Sequence, residues 1–355
     1  GTPSNPKGLN ERIDGHLLAY FRDDFSAGGA GSNFVPAGFS ASGGNRVNPY
    51  TDPDGFQYKA HIFTSSGSFV VDTADGGETV EYLIIGGGGG GGAWVGGGGG
   101  AGGVISSHPD YPSAKRSSVE PVSQGPYAVV IGGGGTGSFQ DGESASNTQE
   151  TGTPGGDTTV FSKRAAGGGM GGNWAMYQRE AGGSGGGGGH PAALTGADGN
   201  TYSPASPAHP GPAPNQGFPG GNGSGTPQLS TGGGGGAGGA GGNFSGTTSG
   251  NGGAGVQITI AGAPTYNHPV GRGDLNPGPG EYMWYAAGGG GGHHGPGTAG
   301  TGGVGGGGDG RSAGPEAPAG LDGTGGGGGG SGGSGGTGHG GNGGSGLVII
   351  RYRIG

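Results

Sequence analysis

The chain has 355 residues, of which 111 are glycine, and carries a formal net charge of -9. There is no cysteine and only 10% of residues are charged, which excludes disulfide staples and thiolate–metal sites and separates the chain from charge-rich disordered sequences. Its 14 Lys and Arg residues gather in no patch, so nucleic acid is not an expected partner, and no apolar run approaches the ~18 residues of a membrane-spanning helix.

The chain begins at Gly1 rather than Met, as a processed product or a portion of a longer one does. Residues 1–55 read as an N-terminal attachment or linker segment. Ile13, Leu17, Leu18, Tyr20 and Phe21, with charge between them, fit a short helix or a strand, and periodicity does not choose. Residues 26–53 are polar and loop-like. Asp52-Pro53-Asp54-Gly55 reads as a turn, with a bound cation as the alternative.

Residues 56–355 read as a glycine-rich domain. Residues 56–63 largely alternate apolar and polar, and residues 69–71 and 79–85 are further short strands separated by Ser/Gly and Asp-Gly-Gly turns. This pattern predicts a meander of antiparallel strands. More strands are expected at 127–131, 256–260 and 282–286. The terminal Leu-Val-Ile-Ile-Arg-Tyr-Arg-Ile run at 347–354 is β-branched and long enough for a central strand.

Glycine runs at 86–92, 96–103, 232–242 and 325–346 abut these strands. Helix is disfavoured there by about 1 kcal/mol per glycine relative to alanine. Ordering a glycine backbone costs roughly 1–2 kcal/mol per residue, and with no side chain to offset it, backbone hydrogen bonds between segments must do so. Ala237, Ala240 and Asn243 recur every third residue, as do Ser331, Ser334 and Thr337, and then His339, Asn342 and Ser345. Three residues per turn is the period of the left-handed extended helix, whose N–H and C=O groups point outward and bond only to neighbours. The expected fold is therefore mainly β plus polyglycine II, with very little α-helix. Gly98, Gly235, Gly327 and Gly333 are expected at close backbone contacts, and the third-position residues, Ser334 among them, on the bundle surface.

The string Val80-Glu81-Tyr82-Leu83-Ile84-Ile85-Gly86-Gly87-Gly88, the 96–103 run followed by Val104-Ile105, Tyr127-Ala128-Val129-Val130-Ile131-Gly132 and Gly346-Leu347-Val348-Ile349-Ile350-Arg351-Tyr352 together resemble the glycine-rich domains of phage tail and virion proteins, marine phages especially. Ala60-His61-Ile62-Phe63-Thr64-Ser65-Ser66-Gly67 resembles them too. The resemblance covers about residues 56–355. It implies a jelly-roll-like base of antiparallel strands carrying a packed bundle of polyglycine helices, with loops facing outward. Two relatives guide the expectation: a phage tail-fibre adhesin with a polyglycine sandwich and receptor-binding loops at its tip, and the glycine-rich domain of anaplastic-lymphoma-type receptor kinases, whose sheet carries inserted polyglycine helices. The alternation of strand and tract is closer to the second plan.

No catalytic constellation, metal site or cofactor is expected. His293-His294 is the only His doublet and has no Asp or Glu at a ligand spacing, so both read as exposed loop residues. No tract is followed by Gly-Lys-Ser or Gly-Lys-Thr, so the glycines do not make a phosphate loop. Asp309 sits in a calcium-repeat-like context with no second copy in register. Arg272-Gly273-Asp274 is a chance tripeptide in a chain this rich in glycine. The aromatic interruptions carry the expected recognition chemistry: Trp174, Tyr177, Tyr202 and Phe218 are candidates for contact with a receptor or glycan, the alternative being that they cap the bundle ends. Trp284 and Tyr285 are expected to cover the sheet.

These readings lead to a non-enzymatic structural or adhesive virion protein of a phage: a tail fibre, tail tip or surface appendage presenting host-binding loops. Its expected partners are itself, as a homo-oligomer and by analogy a trimer, other virion subunits, and a host surface glycan or protein, without membrane insertion. The alternative is a subunit of an extracellular filament that polymerises through its N-terminal segment.

Overall fold

The apolar runs of the sequence form antiparallel strands, and the glycine runs leave from their ends. The computed structural model describes residues 38–141, 149–174, 182–190, 196–197, 216–224, 229–262, 283–312, 314, 316–333 and 337–354. Before the first glycine run lie β1 (Ser40–Ser42), β2 (Arg46–Thr51), β3 (Gln57–Phe63), β4 (Gly67–Thr73) and β5 (Thr79–Ile85). Between the first two runs and residue 165 lie β6 (Val104–Ser106), β7 (Glu120–Pro121), β8 (Gly125–Val129), β9 (Phe139–Asp141), β10 (Gln149–Glu150), β11 (Thr158–Val160) and β12 (Lys163–Ala165). β13 (Val256–Gln257), β14 (Trp284–Tyr285), β15 (Thr337–His339) and β16 (Leu347–Arg353) complete the set. No α-helix occurs among the described residues.

The main sheet has the order β2-β3-β16-β5-β6, with β7 also on β5. β16 is central, as its β-branched run predicts: Val348 pairs with Phe63 on one side and with Ile84 on the other. The expected meander is not formed. β3, β4 and β5 exist, but β16 separates β3 from β5, and β4 belongs to a second sheet of order β1-β4-β8. Local patterning marks strands; which strand lies beside which is decided by the whole sheet's burial. β1 and β2 also arise within the stretch read as loop-like, and pair with β4 and β3.

Both faces of the main sheet are covered, so the first four residues of β16, Leu347 to Ile350, are apolar in succession instead of alternating. Val348, Ile350 and Tyr352 point to a cluster with Phe69, Val71 and Val129 of the second sheet and with Phe161. Leu347 and Ile349 point the other way, to Ile258, Ile260, Tyr285, Ala101 and Ala237.

From the end of β5, residues 86–92 run away from the sheet bonded on every side. Gly86, Gly89 and Gly92 donate to the carbonyls of Gly103, Gly100 and Gly97; Gly87 and Gly90 donate to Gly156 and Thr153; Gly88 and Gly91 donate to Gly344 and Gly341, at 2.9–3.1 Å. In each case the partner number falls as the donor number rises, so these neighbours run antiparallel. The carbonyls of residues 87 and 90 accept from Gly168 and Gly171, those of 88 and 91 from Gly135 and Ser138, and those of 89 and 92 from Gly328 and Ser331. These neighbours run parallel. Direction thus recurs every third residue, and six flanking segments surround the run. Residues 96–103, running back toward the sheet, are enclosed the same way: Gly98 and Ala101, for instance, donate to Gly232 and Gly235.

At most of the buried glycines this packing leaves no space for a Cβ. One added at Gly98 would overlap the Gly289 carbonyl, at Gly235 the Phe218 carbonyl, and at Gly327 the Gly99 carbonyl. Gly333 is in addition a left-handed corner, with φ 65° and its N–H directed to Ser331 Oγ at 3.3 Å, where glycine supplies backbone freedom. The third-position residues also divide. Ala240, Asn243 and Asn342 are exposed, but Ala237 and Ser331 are buried, because the first lies where its tract crosses the sheet and the second lies between 86–92 and 96–103. Ser334 falls outside the described residues.

Candidate binding surface at the end of the glycine array

Since 86–92 starts at the sheet, its far end is the turn Ala93-Trp94-Val95. Trp94 and Val95 turn the chain back with φ 36° and 58°, an uncommon conformation for non-glycine residues and for the β-branched Val95 a genuine outlier. The tracts running parallel to 86–92 end at the same place, which gathers their terminal side chains. The Trp94 ring lies 4.6 Å from that of Trp174, Trp174 stacks on His190 at 4.5 Å and 26°, and His294 meets Trp94 edge-on at 6.4 Å. Phe139 and His339 pair at 4.3 Å beside the neighbouring tracts.

Trp94 and Trp174 are half-buried, offering part of their surface to solvent. His190 is wholly buried and neither ring nitrogen has a hydrogen-bond partner; Trp94 Nε1 and His293 Nε2 are likewise buried without one. Burial lowers the pKa of His190, and burial together with the adjacent His294 lowers that of His293. Both are therefore uncharged at neutral pH. His294 Nδ1 faces the Gly333 and Gly332 carbonyls at 2.9 and 3.2 Å, and since carbonyls only accept, that nitrogen carries the proton. The expected exposure of the His doublet is corrected for His293, which is 1% exposed and bonded through Nδ1 to Ser230 Oγ at 3.1 Å. Among the described residues no group of three or more His, Asp or Glu side chains is placed to hold a metal.

Of the residues expected to make contacts, Trp174 is in this cluster. Phe218 is not: its carbonyl accepts from Gly185 near the sheet, and Lys115 Nζ lies 4.0 Å over its ring. Tyr177, Tyr202 and the 272–274 tripeptide lie outside the described residues. Trp94 and His190 were missed by sequence reasoning. The available signal was that each is the bulky residue at the end of a glycine run.

Two polar groups at the sheet complete the inventory. Arg351, 3% exposed, donates through Nη1 to Asp52 and Tyr50 Oη at 2.8 and 2.7 Å and through Nε to Glu81, with its guanidinium 4.2 Å over the Tyr58 ring. Burial is the main influence pushing Tyr50 up to about 12. The 52–55 turn is formed, Gly55 donating to the Asp52 carbonyl at 2.8 Å, and the Asp52 carboxylate is committed to Arg351. Second, the His108 and Asp110 side chains lie 3.4 Å apart, and Asp110 Oδ2 accepts from both the N–H and the hydroxyl of Thr259 at 2.8 and 2.6 Å. Burial, with Arg351 adding to it, lowers the His108 pKa. Burial alone would raise Asp110; its Thr259 bonds outweigh that and lower it. Asp110 and His108 thus tie the 256–261 segment to the sheet.

The comparison with curated proteins gives no match. Residues 64–353 match the family model described as a glycine-rich domain, and the chain belongs to that glycine-rich domain family.

Proposed function

We propose that this protein is a non-enzymatic structural and adhesive component of a phage virion, in which a jelly-roll-like base carries a stiff bundle of polyglycine II helices that presents a contact surface at its far end. The polyglycine II reading is supported by the three-residue recurrence of bonding direction along 86–92 and by bonds that leave each tract for its neighbours, as that helix requires. The base is read from two antiparallel sheets sharing one buried layer. The virion role comes from the sequence resemblance. A framework made by backbone groups lets surface residues vary without unfolding it.

The observation that carries the adhesive part is the Trp94–Trp174–His190 stack at the end opposite the sheet. Partly exposed aromatics on a rigid support suit stacking against a sugar ring or docking of a protein side chain. The molecule would act on the virion surface, as a homo-oligomer with other virion subunits, without cofactor.

Immunogold electron microscopy of the native source tests the role: label on discrete particle appendages supports it, and label along continuous fibres favours the filament instead. Binding of the purified protein to host cells tests the surface. Trp174→Ala should abolish most of that binding with an unchanged melting temperature; undiminished binding would remove Trp174 from the contact.

A further inference from the structure

A laterally bonded array has an edge problem. Any outermost tract with unpaired N–H and C=O groups is a template for another chain, as an exposed strand edge is. The outer tracts here deal with it in two repeated ways.

In the first, the residue whose own N–H points out of the array is Asn or Asp, and its side-chain oxygen crosses to an N–H of the adjacent tract. In 340–346, residues 340, 343 and 346 donate to one neighbour and 341 and 344 to another; the outward residue, exposed Asn342, accepts from the Gly137 N–H at 2.8 Å. In 249–255, residues 249, 252 and 255 donate to 298, 301 and 304, and 250 and 253 to 231 and 234; the outward, exposed Asn251 accepts from Thr301 at 2.9 Å. In 307–311, residues 308 and 311 and residues 307 and 310 donate inward, and exposed Asp309 accepts from Gly302 at 2.7 Å. Asn222 and Asn243 repeat the device on Gly196 and Asn222.

In the second, the outward position holds proline and the donor is absent. Thr153 and Gly156 donate to one neighbour and Gly155 to another; the third direction falls to exposed Pro154. Phe218 and Gly221 donate to one neighbour and Gly220 to another; the third direction falls to exposed Pro219.

We infer that these side chains and prolines close the flanks of the glycine array to a second copy of the chain, so that the lattice stops at the edge of one molecule and any self-association runs through other surfaces. This stands on the bonding pattern and is independent of the virion reading. The device places its acceptors on the same third positions that the lattice leaves free, so a small number of substitutions would turn a closed flank into a self-complementary one.

The test compares three proteins by sedimentation velocity over a wide concentration range, with thermal melts to establish folding. They are the parent chain, the Asn251→Ala/Asp309→Ala/Asn342→Ala variant, and an Asp75→Ala control, which makes the same charge change at an exposed turn that caps no tract. The control should sediment as the parent does at every concentration, and the triple variant should sediment faster than both, by a margin that grows with concentration. A folded triple variant that sediments as the parent does overturns the inference. Should the triple variant not fold, Pro154→Ala/Pro219→Ala restores two outward N–H groups while leaving every acceptor in place, and the same two outcomes decide.

Discussion

The sheet and the glycine array are held together by opposite means. In the sheet, side chains fill the space: Ile349, Leu83 and Tyr285 are fully buried in one cluster, and Phe69, Tyr82 and Ile350 in the other. In the array, the side chains are absent and the peptide groups fill the space, each run bonded to its neighbours in rotation. A side-chain core tolerates loss of a methyl group at modest cost and adapts by repacking. A backbone lattice has nothing to repack, since a Cβ at Gly98 meets the Gly289 carbonyl, which already accepts from the Gly234 N–H. The array should therefore be the less forgiving of the two regions, although it contains almost no hydrophobic side chains.

The largest expected effect follows from that contrast. Gly98→Val adds carbon atoms where the Gly289 carbonyl already stands and should cost several kcal/mol, beyond the ~1–3 kcal/mol usual for overpacking a deformable core. Ile349→Val, in the fully buried sheet layer, should cost only about 0.5–1.5 kcal/mol. Urea denaturation of both variants checks the order, and a Gly98→Val protein as stable as Ile349→Val would break the comparison.

Next is the clasp between β2, β5 and β16. Arg351→Leu strands Asp52 and Glu81 beside an apolar side chain. Because those carboxylates are 15% and 22% exposed, the loss should be roughly 2 kcal/mol, below the ~3–5 kcal/mol of a wholly buried pair. Thermal melts give the value, and a variant that melts with the parent would show the clasp to be dispensable.

Acid should act on both regions through buried neutral imidazoles. The pKa values of His61 and His108 at the sheet, and of His190 and His293 at the end of the array, are lowered chiefly by burial. In the unfolded chain these groups titrate at about 6.5. Their contribution to stability is thus complete above that value and is lost as pH falls through it toward the folded pKa values. Melting temperature should fall from pH 7 to pH 5, and His108→Gln should flatten part of the slope. An equally steep slope in that variant would exclude His108 as a contributor.

The strands were legible where local pattern suffices. Residues 69–71, 79–85 and 347–353 are rich in β-branched and aromatic side chains and all lie in strands, although the first strand extends to Gly67 and Thr73, into the residues read as a turn. Their neighbours were not legible, because inserting β16 between β3 and β5 brings residues 347–353 beside residues 57–85, and no local period encodes that. In the array the three-residue spacing was a partial guide: 339, 342 and 345 lie in one run, but 237 and 240 flank the bend closed by Gly236 and Gly239, and 331 and 337 flank the Gly333 corner. The facing tract was not legible, since one glycine run is chemically the same as another. The end cluster was half legible. Trp174 stood out as an aromatic between glycine runs, whereas Trp94 and His190 become significant only when tracts of one direction end together.

The smallest expected effect lies where the two regions meet. Ala237 and Ala240 are the same residue type, three apart in the sequence, on either side of the bend where Gly236 donates to the Gly239 carbonyl at 2.9 Å. Ala237 is 1% exposed and packs in the cluster with Ile258 and Tyr285, and its N–H donates to the Ala286 carbonyl at 2.8 Å. Ala240 is exposed. Ala237→Leu should therefore cost about 1–3 kcal/mol by overpacking, whereas Ala240→Leu should stay within about 0.5 kcal/mol of the parent. Equal effects would mean that the sheet's side-chain core stops short of residue 237. Unequal effects would place the boundary between the two kinds of packing between residues 237 and 240.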